Sequence, residues 1–484
     1  MRNQRKTLKE QAIISVFWTA IERFSVQIMQ FVIGLIVARL LSPSDFGLIA
    51  MLSIFIALAQ SFIDCGFSNA LIQKQDRTEV DYSTVFYTNI FLGILLYIIL
   101  YLSGPLISDF YHEPLLKDLI KVVGINLILC SFFLVQRTKM IAVLNFKVLA
   151  IFSLLSILVG GGTGIYMAIS GRGVWALVCQ TLVSNMVLVI CYWSYVRWFP
   201  LRMFSVKSFR GLFGFGSKLL LAGMLHTLYS NMYTIVIGKR FTPSDLGFYT
   251  RGQSMAYILP SNLTSVMTQS MYPVLCDIQS ESERLKSYFL AYARMACFIT
   301  FPIMFLLIAL AEPLIQILLT DKWLPSVFYV QILCFGYMWD PLMRMNANVL
   351  SVKGRSDYTM NSEILKKIVS IFILIVSLNF GLKVICISMA CYSLVDLLIV
   401  GIYTRKVIGI SFIDEFRLVF RFLLTSILMC VLITGITLLF DSNFLKIIIG
   451  GVSGSIFYIL IAYLLQGKFD LRVVDSSGVC CVLK

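Results

Sequence analysis

LSPSDFG at residues 41–47 recurs as FTPSDLG at residues 241–247, and each copy closes a long apolar stretch. A basic residue, Arg39 or Lys239, precedes each copy at the same distance. A repeated turn that joins repeated hydrophobic segments indicates two homologous bundles of membrane helices, an architecture typical of secondary transporters. We therefore expect the function to lie between the two halves. The residues that mark the repeated turn are Pro43, Asp45, Gly47, Pro243, Asp245 and Gly247.

Composition assigns the chain to the membrane. Hydrophobic residues make up 59% of its 484 residues and charged residues 13%, and the mean hydropathy is +0.87. Soluble proteins carry about a quarter charged residues. Because a helix needs about 20 apolar residues to cross a bilayer, the sequence predicts an all-α polytopic membrane protein with about 14 transmembrane helices. The predicted spans are 11–39, 46–73, 82–108, 115–140, 146–170, 173–197, 211–238, 246–275, 287–319, 325–352, 360–380, 383–404, 416–440 and 443–466.

The net charge of +15 has two candidate causes, a nucleic-acid surface or the positive-inside rule. The distribution of lysine and arginine decides between them, because it alternates with the predicted loops. With the N-terminus inside, about 26 of these residues fall on the cytoplasmic side and about 9 on the outer side. This bias predicts that both termini are cytoplasmic and that no nucleic acid is bound.

Several other classes of site are not expected. The basic N-terminus is followed by a long hydrophobic stretch without a signal-peptide cleavage site. The first helix is therefore predicted to remain part of the mature protein. The glycine-rich stretch at 211–218 lacks the Gly-Lys pair of a phosphate loop. Two histidines without ligand spacing predict no metal site and no cofactor. Cys480 and Cys481 in the predicted cytoplasmic tail are interpreted as unmodified thiols, with palmitoylation as the alternative.

The predicted loops are all short, so catalysis would have to take place within the membrane or at its rim. A membrane polymerase or glycosyltransferase usually exposes a sizeable outer loop, and the sequence contains none. We therefore do not expect an enzyme.

A polar stripe runs along the first predicted span. Arg23 lies roughly 18 Å along the helix from residue 11, close to the middle of the bilayer. Thr19, Gln27 and Gln30 share its helical face. Because a charge at this depth costs about 2.5 to 3.5 kcal/mol, the stripe is predicted to line a cavity. The alternative is an internal ion pair that holds the fold.

A second stripe lies on the eighth predicted span, where Arg251, Asn262 and Gln269 share a face and Pro260 interrupts the backbone hydrogen bonds. Lys218 and Arg294 are further candidate ligand-binding cations, unless their side chains extend to the inner interface. Asp340 and Arg344 are predicted to pair with each other, whereas Asp64 and Asp396 would either carry a coupling proton or sodium ion or pair with cations.

A hydrated cavity with an excess of arginine and lysine suits an anionic substrate, because guanidinium and ammonium groups hydrogen-bond phosphate oxygens. A lipid diphosphate fits this requirement.

Longer stretches carry a family resemblance. Besides the repeated turn, they are QRTKMIAVLNFK at 136–147, GRGVWALVCQTL at 171–182 and FPIMFLLIALAEPLIQILLTDKW at 301–323. These stretches resemble the Wzx-type flippases of O-antigen, capsule and lipopolysaccharide synthesis, in the superfamily that also holds MATE exporters and the lipid II flippase. The resemblance covers residues 8–466, and its motifs identify the fold better than the substrate.

The resemblance implies two six-helix lobes, 1–200 and 201–405, and a trailing helix pair with a tail, 406–484. It also implies a monomer in the bacterial inner membrane that moves an undecaprenyl-diphosphate-linked oligosaccharide to the outer leaflet by alternating access. Arg23 and Arg251 occupy positions comparable to cavity cations of the family. Membrane lipids, a polysaccharide polymerase and glycosyltransferases are the implied partners. The alternatives are a MATE-like ion-coupled drug exporter and, with less support, a membrane glycan polymerase.

Overall fold

The computed structural model describes residues 8–64, 66–410 and 412–466, and every regular element in these ranges is helical. In lipid this is the expected solution, because an α-helix satisfies its backbone hydrogen bonds within one segment. The first eleven helices are α1 Leu8–Leu40, α2 Pro43–Asp64, α3 Phe67–Gln73, α4 Glu79–Leu102, α5 Gly104–Tyr111, α6 Leu116–Val123, α7 Ile125–Ala142, α8 Phe146–Ile169, α9 Trp175–Val196, α10 Val206–Ser230 and α11 Met232–Arg240. The next nine are α12 Pro243–Asp277, α13 Ser282–Ala309, α14 Ala311–Leu319, α15 Ser326–Tyr337, α16 Asp340–Val352, α17 Ser356–Ser377, α18 Leu382–Ile408, α19 Phe412–Thr437 and α20 Asn443–Gln466.

Within the described residues, ten helical segments are long and apolar enough to cross a membrane. They are Arg23–Leu40, Pro43–Gln73, Glu79–Leu102, Leu116–Ala142, Phe146–Ile169, Trp175–Val196, Ser282–Ala309, Leu382–Ile408, Glu415–Thr437 and Asn443–Leu464. The other four predicted spans are also helical, but they carry more polar residues. A count of fourteen membrane crossings therefore stays a prediction.

Six of the predicted spans consist of two helices rather than one. The interruptions separate α2 from α3, α4 from α5, α6 from α7, α10 from α11, α13 from α14 and α15 from α16. Glycine and proline explain several of them: Gly66 has a positive φ of 68° before α3, and Pro105 and Pro313 lie in the first turns of α5 and α14. The pattern of a long helix followed by a short one with proline in its first turn thus occurs in α4 and α5 before Gly247 and in α13 and α14 after it.

The chain divides into two compact units, of which the first ends at Gly247 and the second begins at Phe248. In the first unit α10 packs against α2, α3 and α4. The bounds of the predicted lobes, 1–200 and 201–405, differ from the boundary between the two compact units. The lobes therefore remain a prediction.

In the first unit, glycines allow α8 to pack closely between α1 and α9. A Cβ added to Gly160 would overlap the side chain of Ser184, and one added to Gly161 would overlap Ile33. Gly162, next in the sequence, has no other atom within 4 Å of such a Cβ. Small residues at helix crossings are typical of membrane bundles, where close packing replaces the hydrophobic effect.

The segment between α9 and α10 is fixed to the start of α4. The backbone N–H of Leu201 donates to the Ser83 hydroxyl at 2.8 Å, and the indole N–H of Trp198 donates to Glu79 at 2.5 Å. Lys139 of α7 pairs with Glu79 at 2.7 Å and lies 4.4 Å from the centre of the Trp198 ring. This cluster joins α4, α7 and the linker.

In the second unit, α13 is central. Phe289, Ala293 and Phe301 on α13 are fully buried, and the helix packs against α15 and α19. Helix α18 packs against α15, α16 and α17, and α20 packs against α19.

We expect Gly160→Ala to destabilise the protein by about 1 to 3 kcal/mol, because the new methyl group must displace Ser184 and the backbone of Gln180. Gly162→Ala is the matched control and should be neutral or stabilising, since it adds a methyl group in open space and favours the helix. Thermal unfolding of the purified proteins in detergent measures the difference. Equal melting temperatures for the two variants would contradict the packing described here.

Candidate functional site

Both copies of the repeated turn start a helix by the same hydrogen bonds. The backbone N–H and hydroxyl of Ser42 donate to the Asp45 carboxylate at 2.9 and 2.6 Å. Thr242 makes the corresponding bonds to Asp245 at 3.3 and 2.8 Å. In return, the backbone N–H groups of Asp45 and Asp245 donate to the Ser42 and Thr242 hydroxyls at 3.3 and 3.2 Å. These bonds satisfy backbone donors at the beginning of α2 and α12, and proline fits the first position of each helix.

The two copies also contact each other, and the contact is reciprocal. A Cβ added to Gly47 would overlap the carbonyl oxygen of Pro243, and one added to Gly247 would overlap that of Pro43. In both cases the obstacle is backbone, which cannot rotate away. The glycine in each copy therefore permits the close approach of the other copy.

Lys239, the basic residue before the second copy, joins α11 to the end of α5. Its ammonium donates to the backbone carbonyl of Phe110 and lies 3.2 Å from His112 Nε2. It also lies 4.8 Å from the centre of the Phe110 ring. Arg39, the corresponding residue before the first copy, has an exposed side chain.

We expect Gly47→Ala and Gly247→Ala each to separate the two turns by about 1 to 2 Å, because the added Cβ would lie 1.8 or 1.9 Å from a carbonyl oxygen. Gly223→Ala, where an added Cβ meets nothing within 4 Å, is the control. Electron paramagnetic resonance between spin labels at positions 44 and 244, in a protein otherwise free of cysteine, measures the distance. An unchanged distance in both test variants would refute the contact.

The four predicted binding cations are distributed over the two units. Arg23 is exposed on α1. The guanidinium of Arg251 lies 5.9 Å from the centre of the Trp323 ring, and Arg294 is exposed on α13. The side chain of Lys218 is outside the described part of the structure. Their assembly into one cavity stays a prediction.

Asn262 and Gln269, two of the predicted polar lining residues, each form a hydrogen bond within α12. The Asn262 amide donates to the carbonyl of Ile258 at 2.8 Å, and the Gln269 amide donates to the Ser265 hydroxyl at 3.4 Å. On α1, Gln27 is half-buried and Gln30 is exposed, whereas the side chain of Thr19 is outside the described part. Their predicted contact with a substrate is untested.

Asp64, one of the two predicted ion-coupling residues, lies at the break between α2 and α3. Its carboxylate accepts hydrogen bonds from the hydroxyl and the backbone N–H of Ser68, at 2.6 and 3.3 Å. The same Ser68 hydroxyl accepts a hydrogen bond from Thr138 on α7 at 3.1 Å. Asp64 thereby helps to start α3 and to fix it against α7.

Asp396, the other predicted ion-coupling residue, forms an ion pair with Lys366. The distance from Lys366 Nζ to the Asp396 carboxylate is 2.8 Å, and a second carboxylate, Glu363, lies at 3.2 Å. The Lys366 side chain is only 8% exposed. The sequence analysis allowed Asp396 to pair with a cation but did not identify Lys366 as its partner. The spacing of Ser362, Lys366 and Ser370 on one helical face was the available indication.

We expect Lys366→Met to destabilise the protein by about 3 kcal/mol, the lower end of the range for buried pairs, because it leaves the Asp396 carboxylate, which is 21% exposed, without its cation. The double variant Lys366→Met/Asp396→Asn removes both charges and should recover most of this loss. Lys367→Met is the control, since Lys367 is 38% exposed and its contact to Glu363 is longer, at 3.4 Å. Chemical denaturation of these variants, of Asp396→Asn alone and of the wild type gives the coupling energy, and additive effects of the two single changes would exclude a strong pair.

A line of polar contacts joins α12 to α15 and α16, and we call it the α12/α16 polar seam. It consists of hydrogen bonds from the Gln253 amide to the Tyr337 hydroxyl at 2.9 Å, from the Thr264 hydroxyl to Asp340 at 2.8 Å, and from the Asn348 amide to the Thr268 hydroxyl at 3.4 Å. The predicted pair of Asp340 with Arg344 is present, with 3.8 Å between Oδ1 and Nε. The sequence predicted the pair but not its connection to α12.

Comparison with known proteins shows the family. Residues 36–328, more than half of the chain, match the family described as polysaccharide biosynthesis protein. The chain belongs to this family. The chain is 26% identical to the teichuronic acid biosynthesis protein TuaB of Bacillus subtilis over 357 residues, 72% of this chain and 73% of TuaB. It is 23% identical to the lipopolysaccharide biosynthesis protein WzxC of Escherichia coli over 366 residues, 74% of each chain.

Solved structures show the fold of this family member. The lipid II flippase MurJ in its inward closed conformation superposes with a TM-score of 0.73 and 14% identity, covering 93% of this chain and 99% of MurJ. A multidrug resistance MATE family transporter of the MOP superfamily gives a TM-score of 0.61 with 14% identity, over 81% of this chain and 98% of that one. The predicted resemblance is thus confirmed, and the protein has the MurJ/MATE fold.

Proposed function

We propose that this protein is a flippase that moves an undecaprenyl-diphosphate-linked oligosaccharide from the cytoplasmic to the outer leaflet of the bacterial inner membrane. The observation that supports this proposal most directly is that the chain belongs to the polysaccharide biosynthesis protein family. The relatives are named for the synthesis of teichuronic acid and lipopolysaccharide, and another, from Rhizobium meliloti, is a succinoglycan biosynthesis transport protein. The MurJ/MATE fold is consistent with transport rather than covalent chemistry.

The diphosphate is the part of this substrate that requires protein cations. We propose that Arg23 and Arg251, with Lys218 and Arg294 as further candidates, attract the diphosphate while the sugars occupy hydrated space and the polyprenyl chain stays in lipid. Arginine suits this role because its planar guanidinium donates two parallel hydrogen bonds to phosphate oxygens. No covalent bond changes during the cycle.

Alternating access follows as the mechanism. In this proposal two lobes within a 14-helix, monomeric protein rock against each other, and both termini are cytoplasmic. The contact between the two copies of the repeated turn supports an outer gate at this position, because helix ends that meet through backbone close a path tightly.

An ion-coupled drug exporter is the competing function, and the fold alone is compatible with it. Such an exporter would use carboxylates for a cationic drug. Asp340 and Asp396 are instead paired with Arg344 and Lys366 in the second unit, which favours the anionic substrate.

We expect Arg23→Glu and Arg251→Glu each to abolish surface polysaccharide export without loss of folded protein from the membrane, because a carboxylate repels the diphosphate. Arg417→Glu is the control, since Arg417 is exposed on α19, outside the predicted lobes. Polysaccharide staining and membrane immunoblots measure export and protein level. Normal export from both test variants would remove the two arginines from the mechanism.

A deletion strain tests the function itself. Loss of a flippase should accumulate complete lipid-linked repeat units on the inner leaflet, whereas loss of a polymerase should leave single units on the outer side. Accumulation on the outer side would contradict the proposed function.

A further inference from the structure

We propose that Tyr257, Asp340 and Arg344 form a sugar-binding subsite on the second unit, separate from the cations assigned to the diphosphate. The inference rests on the proposed function and deepens it, because it names the part of the substrate that these residues contact. All three residues belong to the α12/α16 polar seam or adjoin it.

The subsite lies at an interrupted helix. Helix α15 ends at Tyr337 and α16 begins at Asp340, with Pro341 in its first turn. The interruption falls near the middle of the predicted span 325–352. In transporter folds, discontinuous helices at mid-membrane form the binding sites, since irregular backbone there is tolerated only against protein or water.

Asp340 positions Arg344 while leaving most of its guanidinium available. The Asp340 side chain is 15% exposed and is held by the hydrogen bond from Thr264. Arg344 is 58% exposed, and Asp340, reached through Nε, is its partner among the described residues. A guanidinium has five N–H donors, so the donors on the two terminal nitrogens remain for a ligand.

Tyr257 supplies an aromatic surface beside this pair. Its ring lies 4.9 Å from that of Tyr337, which in turn is held by the Gln253 amide. Tyr257 is 41% exposed, and Tyr337, which its ring contacts, ends α15 three residues before Asp340. A pyranose ring has an apolar C–H face, which packs on an aromatic ring, and hydroxyl groups at its edge, which bond to carboxylate and guanidinium groups.

Charge favours a sugar over the diphosphate at this position. Asp340 and Arg344 together carry no net charge, and a diphosphate gains little from a guanidinium whose charge is already balanced by a carboxylate. Neutral hydroxyl groups gain hydrogen bonds from both partners without that repulsion.

Binding measurements on the full-length protein in lipid nanodiscs test the subsite with two probes. One probe is the lipid-linked oligosaccharide extracted from producing cells, and the other is undecaprenyl diphosphate without sugar. We expect Arg344→Gln and Tyr257→Leu to weaken binding of the first probe about tenfold and to change binding of the second less than twofold. Arg355→Gln is the matched control for the arginine, because Arg355 is 42% exposed and also pairs with an aspartate, Asp357. Two test variants are used so that misfolding of one does not decide the result.

The outcomes separate the subsite from the proposed function. Equal weakening of both probes, unchanged binding in both variants, or equal affinity of the wild-type protein for the two probes would overturn the subsite and leave the flippase in place. Failure of the wild-type protein to bind either probe would overturn the proposed function and the subsite together.

Discussion

A charged side chain that a membrane helix carries away from water must find a partner, because its burial alone costs several kcal/mol. This constraint accounts for the main polar contacts of the structure. Lys366, which is 8% exposed, pairs with Asp396 and joins α17 to α18. Lys139, which is 16% exposed, pairs with the exposed Glu79 and joins α7 to the start of α4. Each pair ties together helices that apolar packing alone would hold less specifically, since lipid chains compete equally well for apolar surfaces.

Close approach between helices, which glycine permits, is the second feature on which the structure depends. It occurs in two different settings. Gly160 and Gly161 give α8 room between its neighbours, which is a matter of stability. Gly47 and Gly247 instead let two helix ends meet at the repeated turn. The gate proposed at this position rests on that close approach.

The sequence predicted the helices and the repeated turn well. It predicted poorly which residues of different helices contact each other. The repeated turn, the helical spans and the Asp340–Arg344 pair follow from local spacing, because turn hydrogen bonds and neighbouring helical positions are fixed by a few consecutive residues. The helix interruptions were not predicted, since proline and glycine also occur within continuous helices such as α12. For the candidate site, the sequence identifies the candidate cations by their depth in the predicted spans. It does not identify Lys366 as the partner of Asp396.

The sequence by itself determined the membrane class, the duplication and the helical starts at Pro43 and Pro243, since composition and short-range hydrogen bonding are sufficient for these. Only the tertiary structure decided which distant groups meet. It placed the glycine of each turn against the proline of the other, Lys366 against Asp396, and Thr264 against Asp340. Such contacts depend on how helices far apart in the sequence cross, and helical periodicity specifies the face of each helix but not the neighbour that covers it.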